Sequence, residues 1–542
     1  MHLPRELQWN STRPVPVDFA GPTDVDFDPF DAEQPGIARF EAMAERYGDK
    51  VAIDDGTCQL TYRQVRRSVH ALMAKIAALP RGRPVVALLH NTATFPIVFL
   101  AHLGTGRALV PVDASDPPER QSAILRETAP AAILLGEGVT MGEGLCDRDV
   151  PRIRMDPDPA EPAAMPVFAV HLQDAAGVAY TSGSTGRPKG LAFSQRQFLT
   201  ATAEYVDACH INAEDRILCL ASLSGAGCRD ALVALYTGAT LRIVNIRSNG
   251  VGAVIRALDA DRVTILSFVP SVLRVLVRLD GAARAFQHLR ILDLFGDRTS
   301  AADLAMFQEV LPPDCKIRLS LASTEAAHMF HWFVRPEALG EGQPVPCGYL
   351  ARGVSMALLN EAGGPADDGE AGELVVRGPT LAMGAWQEGR LLPGPFLTDP
   401  ENPGSRIFHT GDVIRLRSDG LAEFVGRRDR RIKIRGLRAD LGDLEDALRM
   451  YPGIADVAVM VRSLEDEASL VAYVAAENPG DPPDLRALRR SLVTALPAYM
   501  MPAEIRFLPA IPRLPNFKPD FMTLERLDRD RSGEASLVAG NG

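Results

Sequence analysis

Cysteine, cationic excess and long apolar runs are all scarce in this chain. The seven cysteines among 542 residues, at positions 58, 146, 209, 219, 228, 315 and 347, form no CxxC spacing and leave one over if the others paired. That pattern speaks against a disulfide framework and for a reducing compartment. A formal net charge of −11 with a sequence pI near 5.5 argues against a general nucleic-acid binder while allowing a local cationic site. The opening "MHLPRELQWNSTRPVPVDF" has no apolar core of signal-peptide type, and "VVALLH" and "IVFLAHLG" are far too short to span a bilayer. A cytoplasmic protein with a small-molecule substrate, and no nucleic-acid or membrane partner, is expected.

What is present is size and alternation. A hydrophobic content of 46% in a chain of this length supports a large core and more than one domain. Residues 1–32, rich in proline and acids, read as an extended arm. From Ile37 the spacing predicts a helix with Ile37, Phe40, Met43 and Ala44 on one face, and "YRQVRRSVHALMAKIAAL" predicts a second. Strands at Val85–Leu89, Ala108–Val112 and Ala131–Leu134 alternate with helical stretches, and the theme resumes through "DRILCLA", "ATLRIV", "VTILSFV" and "LRILDLF". The fold class is therefore α/β, with buried parallel strands in layered subdomains.

Between 361 and 430, "GELVVRG" and "GLAEFVG" predict short strands exposed on one side, in a β-rich subdomain. "GRRDRRIKIRG", Gly426–Gly436, is too cationic for a core element and predicts a boundary. Beyond it, helices at Leu441–Met450 and Pro483–Ala495 and strands at Val457–Val461 and Leu470–Ala475 predict a small α+β unit. The expected domains are the arm, a large domain over 33–428, a small C-terminal domain over 429–530 and a flexible tail over 531–542.

"TSGSTGRPKG", Thr181–Gly190, gathers three glycines, four hydroxyls and two cations in ten positions. Backbone N–H groups of such a turn can converge on phosphate oxygens, with Thr181, Ser182, Ser184 and Thr185 adding donors and Lys189 adding charge. An ordinary surface loop is the competing reading. Neither Walker nor dinucleotide-binding spacing is present.

The stretch resembles the signature loop of the adenylate-forming superfamily, and further resemblances follow in order along the chain: "LTYRQV" at Leu60, "ALYTGATLRI" at Ala234, "STE" at Ser323, "GELVVRG" at Gly372, "FHTGDVIR" at Phe408, "GRRDRRIKIRGLRADLGDLE" at Gly426, "LPAYMMP" at Leu496 and "LPNFKPD" at Leu514. Their forms are most similar to adenylation domains of nonribosomal peptide synthetases. The resemblance implies ATP and Mg2+ as cofactors and activation of a carboxylic acid as acyl-AMP. It assigns phosphate contacts to Thr181, Ser182, Gly183, Ser184, Thr185, Gly186 and Lys189, metal coordination to Glu325 and Thr185, and an α-phosphate contact to Thr324. Leu321 and Ala322 would border the adenine, Asp412 and Arg427 the ribose, Lys518 would be the catalytic lysine and Asp429 the hinge. On their own these residues have plainer readings: Glu325 as a helix cap, Asp412 as a turn residue, Arg427 in a solvated charge run and Lys518 as a surface lysine.

Departures from the family pattern bear on the substrate. "LASTE" puts Leu321 where an aromatic usually lies on the base, Phe517 replaces a glycine before Lys518, and Ser194-Gln195 replaces a frequent Ser-His pair. At the position of the carboxylate that receives an α-amino group stands Gly225, which cannot neutralise an ammonium, so an ordinary α-amino acid is disfavoured. The same alignment lines the pocket with Ala226, Arg229, Ser267, Asp293, Phe295, Ser320, His328 and Met329. Arg229 and Asp293 pair with each other, or Arg229 receives a second anion of the substrate, or Asp293 receives a displaced amine. A hydroxy, keto, β-amino or dicarboxylic acid is expected. With only 24 residues after Lys518, the expected acceptor is the phosphopantetheine thiol of a separate carrier protein, with CoA or an amine as alternatives and a non-catalytic binding protein as the rival class.

Overall fold

Every side chain of the apolar run Val85–Leu89 is buried in a strand, flanked in parallel by Leu109–Asp113 and Ala132–Leu135. Continuous apolar strands are what a sheet covered on both faces requires. The structure, a computed structural model, describes residues 9–11, 32–142, 149–155, 169–182, 188–221, 226–335, 339, 344–402, 405–428, 431–434, 437–464, 467–497, 500–514 and 517–529. They group into two units. The larger comprises Met1–Thr299, Asp303–Thr410 and Leu416–Glu423, and the smaller Ser300–Ala302, Gly411–Arg415 and Phe424–Gly542.

In the larger unit the first sheet has eight strands and continues from Leu109–Asp113 to the hairpin Ala175–Ser182 and Pro188–Ser194. The helix Thr94–Thr105, apolar all round, has every residue from Phe95 to Thr105 buried, as a helix enclosed by other elements must be. The helix Tyr62–Ala77 opens with a reciprocal cap between Thr61 and Gln64. It anchors Tyr62, whose Oη donates to the Ala239 carbonyl at 2.7 Å.

A second sheet sets parallel strands side by side in the order Val51–Asp54, Thr240–Ile243, Arg216–Cys219, Ile265–Phe268, Ile291–Phe295 and Lys316–Ser323. The chain then reverses, adding Ala327–Phe333 and Pro346–Leu350 antiparallel. Three polar residues interrupt this apolar sheet in register: Ser267 lies beside Asp293, and Asp293 beside Arg318. Side chains of paired residues share a face, so the three form a row.

Farther along, Ser355–Leu359 pairs with Ala371–Arg377. The expectation of one solvent-facing side is corrected here: Leu374, Val375 and Val376 are all fully buried, because both faces of this strand are covered. From the arm, Asn10–Ser11 adds a short antiparallel strand beside Ser355 and Met356; residues 12–31 and the tail 530–542 lie outside the described residues.

The smaller unit is built on Ile454–Leu464, Glu467–Ala476 and Glu504–Leu508. Alternation sends Val457 and Val459 against helices Leu441–Arg449 and Leu485–Ala495. Ala458 and Met460 face the other way, into a core with Tyr473 and Leu524. Among the described residues no helix is long and apolar enough to cross a membrane.

Gly348, at φ 123°, stands so close to its neighbour strand that a Cβ would meet the His331 carbonyl carbon at 2.3 Å. Gly348→Ala is expected to cost at least about 2–3 kcal/mol in denaturant unfolding, through the disfavoured backbone angle and the displaced strand. A variant within 0.5 kcal/mol of wild type, roughly the noise of a surface change, would contradict this packing.

Candidate functional site

The glycine-rich stretch begins and ends on two paired antiparallel strands, Ala175–Ser182 and Pro188–Ser194. Thr181 pairs with Lys189 and Ser182 with Pro188, so the strands bring Lys189, which is exposed, alongside the start of the loop. Gly183, Ser184, Thr185 and Gly186 lie outside the described residues, as do Gly225 and Asp429, and Ala226 is placed only as the first residue of the helix Ala226–Thr237.

Leu321 and Ala322 sit near the end of the strand Lys316–Ser323, at a register shift against the returning strand. Thr324 and Glu325 occupy the turn between the two strands, not a helix start. Ser323 Oγ accepts from Ala326 N at 3.2 Å, the Glu325 carbonyl accepts from Ala382 N at 2.8 Å, and Ala327 follows at φ 53°. The Thr324 side chain is exposed and that of Glu325 half-buried. This tight reversal presents a hydroxyl and a carboxylate together.

The pocket positions form a buried ionic lattice. Asp293 is fully buried. Its Oδ1 accepts from Arg318 Nη1 at 2.9 Å, and its Oδ2 accepts from Ser267 Oγ at 2.6 Å and lies 3.4 Å from Arg229 Nη1. Arg229 donates to Asp230 through Nε and Nη2 at 3.2 and 3.0 Å, to Ser267 Oγ and to His328 Nε2 at 2.8 Å. Its guanidinium lies 4.5 Å from the ring centroid of Tyr205 and 5.1 Å from that of Phe295, a cation–π arrangement on two sides of the network. Of the three readings of Arg229 and Asp293, the structure contains the mutual pair, and each residue has a stronger partner besides: Asp230 for Arg229, Arg318 for Asp293.

Sequence reasoning missed Glu204, Tyr205, Asp230, Arg318 and His331. Glu204 Oε1 accepts from His331 Nε2 at 2.5 Å and lies 3.4 Å from Arg318 Nη2. The signal for Arg318 was available in "KIRLSL": a guanidinium at an inward position of a strand demands a carboxylate on the neighbouring strand.

Burial opposes the charge on Asp293, but Arg318 and Arg229 overcome it and hold the carboxyl below its ordinary value. For Glu204 burial is likewise outweighed by His331 and Arg318, and its carboxyl is lowered. Asp230 is the exception, pushed up to about 6 by burial in spite of Arg229. Burial and the two guanidiniums bring His328 down to about 3, so its ring is neutral. Met329 is fully buried, and Ser320 Oγ, His328 Nδ1 and Tyr205 Oη have no hydrogen-bond partner among the described residues.

In the smaller unit Asp412, on the strand Arg406–Leu416, is buried and accepts from Arg427 Nη1 at 3.1 Å, while the Arg427 side chain stays 42% exposed. An acceptor-only carboxylate oriented by a guanidinium suits a diol. Lys518 is exposed at the tip of a tight loop. Its carbonyl accepts from Leu514 N at 2.8 Å, Arg513 donates to the Phe517 carbonyl, and Arg513 is tied to Asp456. Phe517 adopts φ 64°, the left-handed conformation that glycine takes without cost.

A family model described as AMP-binding enzyme matches residues 40–386, and one described as AMP-binding enzyme C-terminal domain matches 443–518. A linear gramicidin synthase of Brevibacillus parabrevis is 30% identical over 496 residues, which are 89% of this chain and 9% of that protein. Phosphinothricin tripeptide synthetase PhsC of Streptomyces viridochromogenes is 30% identical over 92% of this chain and 45% of its own length. The chain thus spans less than half of these curated relatives. Among solved structures, a four-domain nonribosomal peptide synthetase bound to AMP and glycine superposes with a TM-score of 0.77 at 23% identity, over 92% of this chain and 37% of that one. The amide bond synthetase McbA of Marinactinospora thermotolerans gives 0.75 at 23%, over 90% and 99%. At such identities the likeness is one of fold, α/β with a large N-terminal and a small C-terminal domain.

Arg318→Met would strand Asp293 and Glu204 and is expected to cost about 3–5 kcal/mol, with Asp293→Leu in the same chain restoring part of it. Both carboxyls lie below their ordinary values of 3.8 and 4.5, so the lattice stabilises fully above those values and loses its contribution progressively as pH falls below them toward the lower folded-state values. The gap between wild type and Arg318→Met, read by denaturant titration, is expected to narrow below about pH 4. A gap that widens with acid would refute the assignment.

Proposed function

The chain belongs to the AMP-binding enzyme family of adenylate-forming ligases, and from that premise we propose that it converts a carboxylic acid other than an ordinary α-amino acid to acyl-AMP, releasing pyrophosphate, and delivers the acyl group to the phosphopantetheine thiol of a carrier protein. The observation that carries the exclusion of the amino acid is Asp293. Its oxygens already accept from Arg318 and Ser267 and its charge is matched by Arg318 and Arg229, so it is not a spare counter-ion, and with Gly225 in place of the usual carboxylate an α-ammonium would be buried without a dedicated partner.

The remaining roles follow from the chemistry of in-line displacement at the α-phosphorus of ATP, which needs positioning and neutralisation of charge more than covalent help. Backbone N–H groups over Gly183–Gly186, hydroxyls of Thr181, Ser182, Ser184 and Thr185, and the ammonium of Lys189 hold the leaving phosphates. Thr324 donates to the α-phosphate. Leu321 and Ala322 pack on the base, and Asp412, oriented by Arg427, accepts from the ribose hydroxyls. Glu325, with Thr185, would hold Mg2+. A lone half-buried carboxylate suits this ion, which binds through one or two carboxylates plus substrate phosphates and keeps several waters. When bound it would neutralise charge on the phosphates.

Lys518 supplies the mobile cation for the first step, a compact ammonium on a flexible stem. Asp429 is assigned as the hinge by which the small domain withdraws that lysine once acyl-AMP has formed. Phe295, Ser320, His328 and Met329 are assigned to the acyl group, with Arg229, Ser267 and Asp293 as the ionic backing of the same pocket; Gly225 and Ala226 are assigned to it by the resemblance alone.

Lys518→Ala is expected to lower ATP–pyrophosphate exchange by about 10²–10³-fold, the scale for losing one transition-state donor, while transfer from chemically supplied acyl-AMP to a carrier is retained. Equal loss of both half-reactions would sink the role given to Lys518. Absence of exchange across hydroxy, keto, dicarboxylic, amino and aryl acids would sink the ligase reading.

A further inference from the structure

The tautomer of His328 is fixed by its partner. A guanidinium has donors and no acceptor, so His328 Nε2, 2.8 Å from Arg229 Nη1, must accept, and the ring proton resides on Nδ1. That N–H is buried and meets no acceptor among the described residues. The residue as a whole is 9% exposed. An unmet buried donor costs about 1–3 kcal/mol, and a folded chain keeps few of them unless a ligand or water completes the bond. Ser320 Oγ, on the strand antiparallel to that of His328, is in the same condition.

Charge decides what kind of acceptor can complete it. Arg229 is engaged by Asp230, His328, Ser267 and the edge of Asp293, which uses all its N–H groups. Arg318 is engaged by Asp293 and Glu204, and Glu204 in turn by His331. Arg318 keeps one buried N–H, on Nε, without a partner among the described residues, but the two guanidiniums already face three carboxyls, Asp230, Asp293 and Glu204, so a second substrate carboxylate would add a fourth anion to a lattice with only two permanent cations. An ammonium cannot satisfy the Nδ1–H at all, since it offers only donors. An uncharged oxygen satisfies it without disturbing the lattice.

Building on the acyl-activating function proposed above, we propose that His328 is the residue that reads the acyl group, through its Nδ1–H, and that the acid activated by this chain carries a hydroxyl or keto oxygen where amino-acid-activating relatives accept an amine. Arg229 acts as a positioning residue: it fixes the tautomer and orientation of the imidazole, stacked against Tyr205 at 6.4 Å and 25°, and does not touch the substrate.

The test uses the full chain and sulfamoyladenosine mimics of the acyl-adenylate, whose binding is read by calorimetry and needs no catalysis. The acyl groups are pentanoyl, 2- and 3-hydroxypentanoyl, 2-oxopentanoyl, 2-aminopentanoyl and glutaryl. One of the oxygenated mimics is expected to bind at least about tenfold more tightly than pentanoyl, with 2-aminopentanoyl and glutaryl weaker than either. His328→Phe is expected to erase the preference, the oxygenated and pentanoyl mimics then binding alike whatever change in affinity they share. His328→Asn, whose amide nitrogen falls where Nδ1 was, is expected to retain it. The proposal is overturned if the amino or glutaryl mimic binds best, if no oxygenated mimic exceeds pentanoyl, or if His328→Phe leaves the preference intact. Pyrophosphate exchange with the preferred acid separates the two levels: selective binding without exchange upholds His328 as the reader and removes the ligase function, whereas failure of every mimic to bind removes both.

Discussion

The pair Asp293–Arg318 joins two adjacent parallel strands at a point where neither side chain has any exposure. Ions so placed have given up their hydration, and they persist only because each is held by more than one partner. The requirement propagates outward. Asp293 fixes Ser267, and Arg318 recruits Glu204 from the helix Gln195–Cys209. Glu204 then holds His331 on the returning strand. The position of Arg229, and through it the tautomer of His328, is the last link in that chain. A pocket whose polar groups are fixed by one another is rigid in the sense that matters for selectivity, because no member can turn toward a wrong ligand without unpairing another.

The smaller unit shows the complementary arrangement. Its sheet has a core on each face, and Asp528, near the end of the helix over 521–529, bridges Arg462 and Arg506 on two different strands. The loop of Lys518 therefore stands on a braced base. Within that loop Phe517 holds the left-handed angle that glycine adopts freely. The backbone course is kept at some cost in strain, which implies that the path of the loop matters more than the identity of the residue tracing it.

Much of this was legible in the sequence for physical reasons. Strands such as Val85–Leu89 and Ile291–Phe295 announce themselves as apolar runs of strand length, and Thr61 with Gln64 marks a helix start whose cap is present. The pairing of Arg229 with Asp293 was one of the options that buried charge allows. What stayed hidden was long-range. Glu204 precedes Arg318 by more than a hundred positions, and no local spacing links a helix carboxylate to a strand guanidinium. "GELVVRG" was misjudged because its exposure depends on which strands flank it, and two-sided coverage leaves no mark within seven residues.

The short pairing of Asn10–Ser11 with Ser355–Met356 bears on how the molecule behaves in company. An uncovered strand edge is a template for another chain, and folded proteins commonly block theirs. Here the block is self-supplied, and Trp9 secures it by lying 4.3 Å under the guanidinium of Arg377, itself tied to Asp399 and Glu401. Solubility of the large unit is thus partly a property of a few N-terminal residues far from any chemistry. Because the fastening joins packing of Trp9 on Leu359, Val375 and Ile407 to a partly exposed cation–π contact, ionic strength loosens only the second part, and the first keeps the edge covered.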